Sequence, residues 1–418
     1  MEPSPTAHSL LLAATDHNLP ALRSLLKSQT PNVQDPTTLR TPLHLAIAAF
    51  ESSPPPPNNT TNGNGDGIKV DELSLPPLEK AERTLQLLLQ NGAIWNSLDT
   101  NNETPGCIAH RLGLNSLYEI MVDAGVRAEL LFGRLDGYMA LGDDDDDEEE
   151  EEEEEEDVEV EGEEAPELVS EDKKEEETAL DKAAEEAIPV TSDAYLSSKL
   201  EIDDDKILDE DKNGVMMSWE SHIMSLTVQH LTPAKRILNI GYGMGIIDNH
   251  FQSTTPAPTS HHIIEAHPQI LEKLSTSEIS KRPGVVIHSG RWQEVLPKLI
   301  NSNSEADGEE LLFDAIYFDT FAEDYSQLKL FFTEYVIALL SPEGKFSFFN
   351  GLGADRQISY DVYKKVVDID LLEAGLETEW VEVPVDSKKM EGDGEWKGVR
   401  RKYWDLEKYW LPVTKFIG

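Results

Sequence analysis

The residues best placed to do chemistry lie between positions 220 and 319. Ile237, Leu238 and Ile240 form a short apolar run with β-branched members, the pattern of a buried parallel strand. Gly241, Gly243 and Gly245 follow at once. Glycines at a strand end let the chain turn sharply and let a ligand approach bare backbone. About twenty residues on, a second apolar strand, His262–Glu265, ends in a carboxylate. That pairing is how a doubly wound sheet holds a ribose-bearing cofactor. A pyrophosphate-binding turn prefers Gly-x-Gly-x-x-Gly, whereas this chain has Gly-x-Gly-x-Gly, with Met244 and Ile246 offering apolar surface. A cofactor without phosphates fits better, which points to S-adenosylmethionine and away from an oxidoreductase.

Two further carboxylates and an aromatic residue join this set. Asp319 closes the apolar run Phe313–Asp319, and Trp292 follows the run Val285–His288. Glu220 lies in Gly214–Gln229, where Met216, Trp219, Ile223 and Leu226 recur at helical spacing and predict an amphipathic helix against a sheet. Glu220 is either a solvated acid on that helix or a carboxylate aimed at a pocket. Spacing alone favours the solvated acid.

The elements that must position these residues alternate. Strands are expected at Ile237–Ile240, His262–Glu265, Val285–His288, Phe313–Asp319 and Gly344–Asn350, with a helix over Tyr325–Leu340. The alternation implies an α/β, doubly wound Rossmann-like sheet with parallel pairing. Gly241, Glu265, Trp292 and Asp319 then fall at the carboxyl ends of the strands, where such sheets bind ligands.

Upstream, the 418-residue chain changes character. Residues 143–157 are fifteen consecutive acids, and 143–186 hold 28 Asp/Glu against 3 Lys, more than half of the net charge of −46. Such a stretch cannot bury enough apolar surface to offset chain entropy, so 141–188 is expected to be a disordered linker, a spacer or a lure for a basic partner. Residues 1–140 repeat themselves. Thr41-Pro-Leu-His-Leu-Ala46 resembles the opening of an ankyrin repeat, and Thr104–Ala109 aligns with it at an offset of 63. Leu10–Ala13 is an earlier copy, and Leu25-Leu26, Leu87–Leu89 and Ile120–Val122 mark the second helices. The offset of 63 is one repeat plus an insertion over 51–80, rich in Pro, Asn and Gly. About three repeats make a small all-α domain, either a protein-binding surface or a stabilising appendage on the catalytic part. One cysteine, Cys107, rules out an internal disulfide framework. With no signal-like start and no apolar stretch of about 20 residues, a soluble intracellular protein is expected.

From residue 189 to 418 the chain resembles a known family. Met216-Met-x-Trp219-Glu220, Leu238–Ile246, Ile263–Glu265, Gly290–Pro297, Phe313–Thr320, Leu340–Lys345, Leu371–Gly375 and Leu411–Lys415 are similar, in order, to guanidinoacetate N-methyltransferase. With ankyrin-like repeats and an acidic tether in front, the chain more closely resembles the fungal type IV protein arginine methyltransferases. That resemblance implies methyl transfer from S-adenosylmethionine to the δ-nitrogen of arginine in a basic protein, a large-subunit ribosomal protein, with no metal, nucleic acid or membrane involved. It also implies a monomer found in cytoplasm and nucleus. Gly241, Tyr242, Gly243, Met244, Gly245 and Ile246 would line the cofactor, with Glu265, Ala266 and His267 at its ribose. Trp292 and Gln293 would meet the adenine, although His288-Ser-Gly290 lacks the acid often found there. Tyr195 and Met224 would also contact the cofactor, and Asp319, beside it, would join Glu220 in gripping the guanidino group. A small-molecule guanidino methyltransferase and a non-catalytic ankyrin adaptor are the alternatives.

Overall fold

A computed structural model describes residues 5–52, 75–140, 190–304, 311–392 and 394–418. The acidic linker and most of the insertion expected at 51–80 lie outside the described residues. Six helices come first, in three pairs: α1 (Pro5–Thr15) with α2 (Leu19–Leu25), α3 (Pro42–Ala48) with α4 (Pro77–Gln90), and α5 (Pro105–Arg111) with α6 (Asn115–Ala140). The first helices touch along α1–α3–α5 and the second along α2–α4–α6. Local chemistry sets the helix starts. Thr104 Oγ1 accepts the Cys107 N–H at 3.2 Å, and His44 Nδ1 accepts the Thr41 N–H at 3.1 Å. Each satisfies a group at the helix start that has no partner within the helix. The other nitrogen of the buried His44 ring reaches the Glu103 carbonyl at 3.1 Å, tying one pair to the next.

The second part begins with α7 (Ser192–Ser197) and a small antiparallel sheet, β1 (Glu201–Ile202), β2 (Lys206–Leu208) and β3 (Gly214–Met217). Then come α8 (Ser221–Leu231), β4 (Arg236–Ile240), α9 (Ile246–Gln252), β5 (Ser260–Glu265), α10 (Pro268–Thr276), β6 (Val285–Ser289) and α11 (Trp292–Ser304). The chain continues through β7 (Phe313–Phe318), α12 (Tyr325–Leu330), β8 (Leu340–Phe348), α13 (Gln357–Glu373), β9 (Leu376–Pro384) and β10 (Lys408–Phe416). Seven strands form one sheet in the order β6-β5-β4-β7-β8-β10-β9, with β10 antiparallel to both of its neighbours and the central pairs parallel.

Alternation along the strands fills both faces. Ile237, Ile263 and Tyr317 pack with Met224, Phe251 and Leu274 from α8, α9 and α10. Leu238, Ile264 and Ile316 face the other way, onto Leu296, Phe331 and Leu371. Neighbouring strand residues therefore go to opposite layers, as the pleat requires. The expected α/β, doubly wound, Rossmann-like sheet is present.

Three local readings need correction. Gly214–Met217 is a strand, not the start of a helix: Lys206 pairs with Met217 and Ile207 with Met216 in the β2–β3 ladder. The helix begins only at Ser221, after a 3₁₀ turn at Ser218–Glu220, so Met216 and Trp219 do not share its buried stripe. Tyr325–Leu340 is not one regular helix, because α12 gives way to a π-helical turn at Phe331–Val336 before the chain enters β8. β8 itself starts at Leu340, four residues before the expected Gly344.

The helix pairs share a core with α13, the helix that precedes β9. Ile358, Val362 and Val366 of α13 are buried among Leu117 and Met121 of α6 and Trp95 of the turn after α4. A rim of polar contacts surrounds that seam. The Tyr118 hydroxyl donates to Asp361 at 2.6 Å, Tyr363 donates to Glu129 at 3.1 Å, and Lys365 pairs with Glu119 at 3.3 Å.

Candidate active site

Hydrogen-bond register brings the strand tips level. Ile240 of β4 lies opposite Ile264 of β5 and Phe318 of β7, so Gly241, Glu265 and Asp319 arrive at one edge. The sheet's order reverses between β4 and β7, and a cavity of about 280 Å³ opens there. This is where an open α/β sheet leaves a crevice.

Each glycine of the loop has its own reason. Gly241, Gly243 and Gly245 all have positive φ, at 88°, 53° and 71°, where a side chain is strained. A Cβ on Gly241 would sit 1.8 Å from the Asp319 carbonyl oxygen, and one on Gly243 would sit 2.4 Å from Met216 Sδ. Gly241 therefore lets β4 and β7 close together, while Gly243 keeps the cavity floor low.

Glu265 holds this loop in place. Its Oε2 accepts the Tyr242 N–H at 2.9 Å and the Gly243 N–H at 3.4 Å, while Oε1 accepts those of Ala266 and His267 at 2.8 and 2.7 Å. Burial raises its pKa, with these backbone donors pulling the other way. Glu265 lines the cavity, with Oε2 held only loosely by the long Gly243 contact.

Glu220 is not a solvated acid. It is 2 % exposed and lines the cavity. Its Oε1 accepts the Met217 N–H at 3.0 Å and the hydroxyl of Tyr403, so Oε2 remains to face a ligand. Burial pushes the Glu220 carboxyl up to about 7, against the pull of those two donors. Asp319 stands across the same cavity, raised well above the ordinary carboxylate range by burial and by the Glu220 and Asp248 carboxylates. Two acids that repel each other in a shared, partly dry site form a receptor for a cation.

Tyr195, Gly241, Tyr242, Gly243, Glu265, Ala266, Trp292, Gln293, Asp319 and Glu220 all line this cavity. Met224, Met244, Gly245, Ile246 and His267 do not. Met224 is fully buried in the core under α8, its spacing on the helix turning it to the sheet. The Met244 N–H is bonded to Met216 Sδ at 3.1 Å, and Gly245 is the left-handed N-cap of α9 behind Tyr242. Ile246 begins α9 and packs on the core, and His267 caps α10, its Nδ1 accepting the Gln269 N–H at 3.2 Å. Trp292 is 3 % exposed and packs edge-on against Phe318, Phe331 and Tyr335, so only its margin reaches the cavity.

The structure adds residues that sequence reasoning missed. Met216 arrives on β3, Tyr403 in the β9–β10 connection, and Thr320, Phe321 and Glu323 in the loop after β7. α7 closes one side, Tyr195 packing on His267 and Phe321. No cluster of metal-ligating side chains occurs among the described residues. The observed donors and acceptors fit S-adenosylmethionine: a low glycine floor, a buried acid for ribose hydroxyls and apolar walls from Ile264, Phe318 and Leu328. No helix among the described residues is long and apolar enough to cross a membrane.

The family model of guanidinoacetate N-methyltransferase matches residues 193–393. Protein arginine N-methyltransferase 2 of Aspergillus oryzae is 51% identical, over 98% of this chain and 96% of that protein. The protein of the same name from Yarrowia lipolytica is 35% identical, over 90% of this chain and 84% of that one. Among solved structures, the O-methyltransferase TomG of Streptomyces achromogenes, in complex with SAM, covers 49% of this chain and 82% of its own at 14% identity and a TM-score of 0.33. The extent and level of identity to the fungal relatives decide the family: this chain belongs to the fungal protein arginine N-methyltransferase 2 family.

Proposed function

We propose that this arginine methyltransferase acts on the δ-nitrogen of an arginine in a basic protein, a large-subunit ribosomal protein, using S-adenosylmethionine. The observation that carries this reading is the meeting of two carboxylates, the buried Glu220 and the half-buried Asp319, with the glycine loop in one cavity. Bound there, S-adenosylmethionine supplies an electrophilic methyl on sulfur. That chemistry asks the chain to hold a nitrogen lone pair in line with the carbon–sulfur bond, which would break as the carbon–nitrogen bond formed, the positive charge passing to nitrogen.

Arginine's guanidinium is delocalised and protonated, so its nitrogens are poor nucleophiles until held and polarised. Asp319 and the free Oε2 of Glu220 suit that work. Carboxylates on two edges of the planar group would hold the terminal nitrogens and leave the internal one, the δ-nitrogen, facing the methyl. The same carboxylates stabilise the charge that arrives on nitrogen, and one of them takes the proton it sheds. The net charge of −46 fits a basic protein partner. Resemblance to the type IV arginine enzymes supports the ribosomal substrate, a monomeric state and a place in cytoplasm and nucleus.

The test is mass spectrometry of large-subunit ribosomal proteins incubated with the protein and methyl-labelled S-adenosylmethionine. Label on an internal arginine nitrogen, assigned by fragmentation, is the expected result. Label on terminal nitrogens would refute the regiochemistry. Turnover of free guanidinoacetate alone would move the substrate to the small-molecule class. Calorimetry showing no cofactor binding would favour an adaptor.

A further inference from the structure

The third strand of a methyltransferase sheet often ends in an acid that recognises adenine, and β6 has none: His288, Ser289 and Gly290 stand there. Another element puts a carboxylate on that side of the cavity. Glu323, in the loop between β7 and α12, lines the cavity beside Trp292 and Gln293. Its two oxygens each lie 3.1 Å from Trp292 Nε1, which donates to both. Gln293 Nε2 donates to Oε1 at 2.9 Å and the Thr320 hydroxyl to Oε2 at 2.7 Å.

These three donors are uncharged, so the carboxylate is oriented without being paired to a cation. A carboxylate has about four acceptor positions. Trp292 divides its one hydrogen between two of them, so three hydrogens meet four positions and a fourth can be accepted when the Trp292 bond settles on one oxygen. The Gln293 amide is oriented as well, because the Glu323 carboxylate can only accept and so faces its nitrogen, which also reaches Gln327 Oε1 at 3.0 Å. Ile264, Phe318 and Leu328 supply apolar surface for a flat ring in the same cavity. An anion held rigidly at the edge of such a slot selects a ring that presents a hydrogen-bond donor.

We propose that Glu323 accepts a hydrogen bond from the 6-amino group of the cofactor's adenine and so determines which purine this enzyme takes. The proposal rests on the cavity being the S-adenosylmethionine site. Adenine presents an N–H donor at position 6, whereas hypoxanthine presents a carbonyl oxygen, which a carboxylate repels. A site built to pair with a donor rejects the analogue that lacks it more strongly than shape alone would.

The experiment measures binding of S-adenosylhomocysteine and S-inosylhomocysteine by calorimetry to the full chain and to Glu323→Gln and Glu323→Ala. The unaltered protein should prefer the adenosyl ligand by about 10- to 100-fold. Glu323→Gln can turn its amide to donate to a 6-oxo group, so the preference should fall to within about threefold, mainly by tighter inosyl binding. Glu323→Ala should weaken the adenosyl ligand by about tenfold or more and should not weaken the inosyl ligand, which loses only a repulsion. Thermal unfolding checks that each variant is folded, and Glu323→Gln alone decides the matter if the alanine variant is not. Equal weakening of both ligands in the variants would overturn the proposal, giving Glu323 a purely structural part. Tight adenosyl binding with unchanged selectivity would also overturn it while leaving the cofactor site intact. If the unaltered protein binds neither ligand, the cofactor reading falls, and this proposal with it.

Discussion

Asp319 and Glu220 reach one cavity from supports of different stiffness, so their removal should leave different signatures. Asp319 follows a buried strand and its backbone N–H is bonded to the Ile240 carbonyl at 2.9 Å, which fixes it to the sheet. Asp319→Asn keeps the shape and loses the charge, an interaction strongest in the transition state, and should lower kcat by about 10²–10⁴-fold with cofactor affinity little changed. Glu220→Gln should raise KM for the arginine substrate at least as much as it lowers kcat. Near-normal kcat in Asp319→Asn alongside an inactive Glu220→Gln would exchange the two roles. Both carboxyls have pKa values raised by burial, so the folded state holds their protons more tightly than the unfolded one. Ionisation of Glu220 therefore lowers stability as pH rises from the unfolded value near 4.5 through about 7. Glu220→Gln should then melt higher than the unaltered protein at pH 8, by roughly 1–3 kcal/mol, with the gain gone at pH 4. A variant less stable at pH 8 would contradict the burial argument. Asp319 and Glu265 were legible in the sequence because each terminates an apolar strand. Tyr403 and Glu323 were not, since no local pattern marks them. Tyr403 meets a carboxylate 183 positions away, a distance that only the sheet's topology closes.

The glycine loop separates folding from binding within a single element. Gly241 faces backbone, the Asp319 carbonyl, whereas Gly243 faces the end of the Met216 side chain. Gly241→Ala should therefore disturb the junction of β4 and β7 and lower stability by about 2 kcal/mol or more, since backbone cannot step aside as a side chain can. Gly243→Val should leave the domain folded and abolish S-adenosylmethionine binding, because the branched side chain enters ligand space and resists a φ of 53°. Unchanged cofactor affinity in Gly243→Val, measured by calorimetry, would remove the loop from the site. At this scale the sequence was informative where period and chemistry agreed. β4, β5 and β6 stand where apolar runs predicted them. Gly214–Met217 misled because Met216, Trp219, Ile223 and Leu226 have helical spacing by coincidence, across a strand, a 3₁₀ turn and a helix. Tertiary pairing with β2 overrides that pattern. The segments beyond residue 356 carried family-like blocks but no clean period, and α13, β9 and β10 became visible only in the fold.

At the scale of the whole molecule, the N-terminal helices are part of the catalytic body. Ile358, Val362 and Val366 are at most 1 % exposed, and all three bury themselves against α5 and α6 or their neighbours. A Cβ on Gly125 of α6 would lie 2.6 Å from Val362, so the two helices meet closely. The seam also leads to the cofactor. Tyr363 donates to Glu129 of α6, its ring meets Tyr325 edge-on at 6.2 Å, and Tyr325 lines the cavity. Burying three such side chains contributes about 5 kcal/mol, a large share of the 5–15 kcal/mol by which domains are stable. Val362→Asp places an unpaired charge in that seam, and a buried charge without a partner costs several kcal/mol. Calorimetry on the unaltered full chain should give one unfolding transition. In Val362→Asp that transition should move to lower temperature or split in two, and S-adenosylmethionine should bind more weakly as Tyr325 loses its support. Tyr363→Phe, which removes only the hydroxyl bonded to Glu129, should show a small change in melting and a measurable one in affinity. If Val362→Asp melts and binds as the unaltered protein does, the seam is a passive contact and the helical array is energetically separate. A lower melting temperature with unchanged affinity would keep the shared core but break the route through Tyr325.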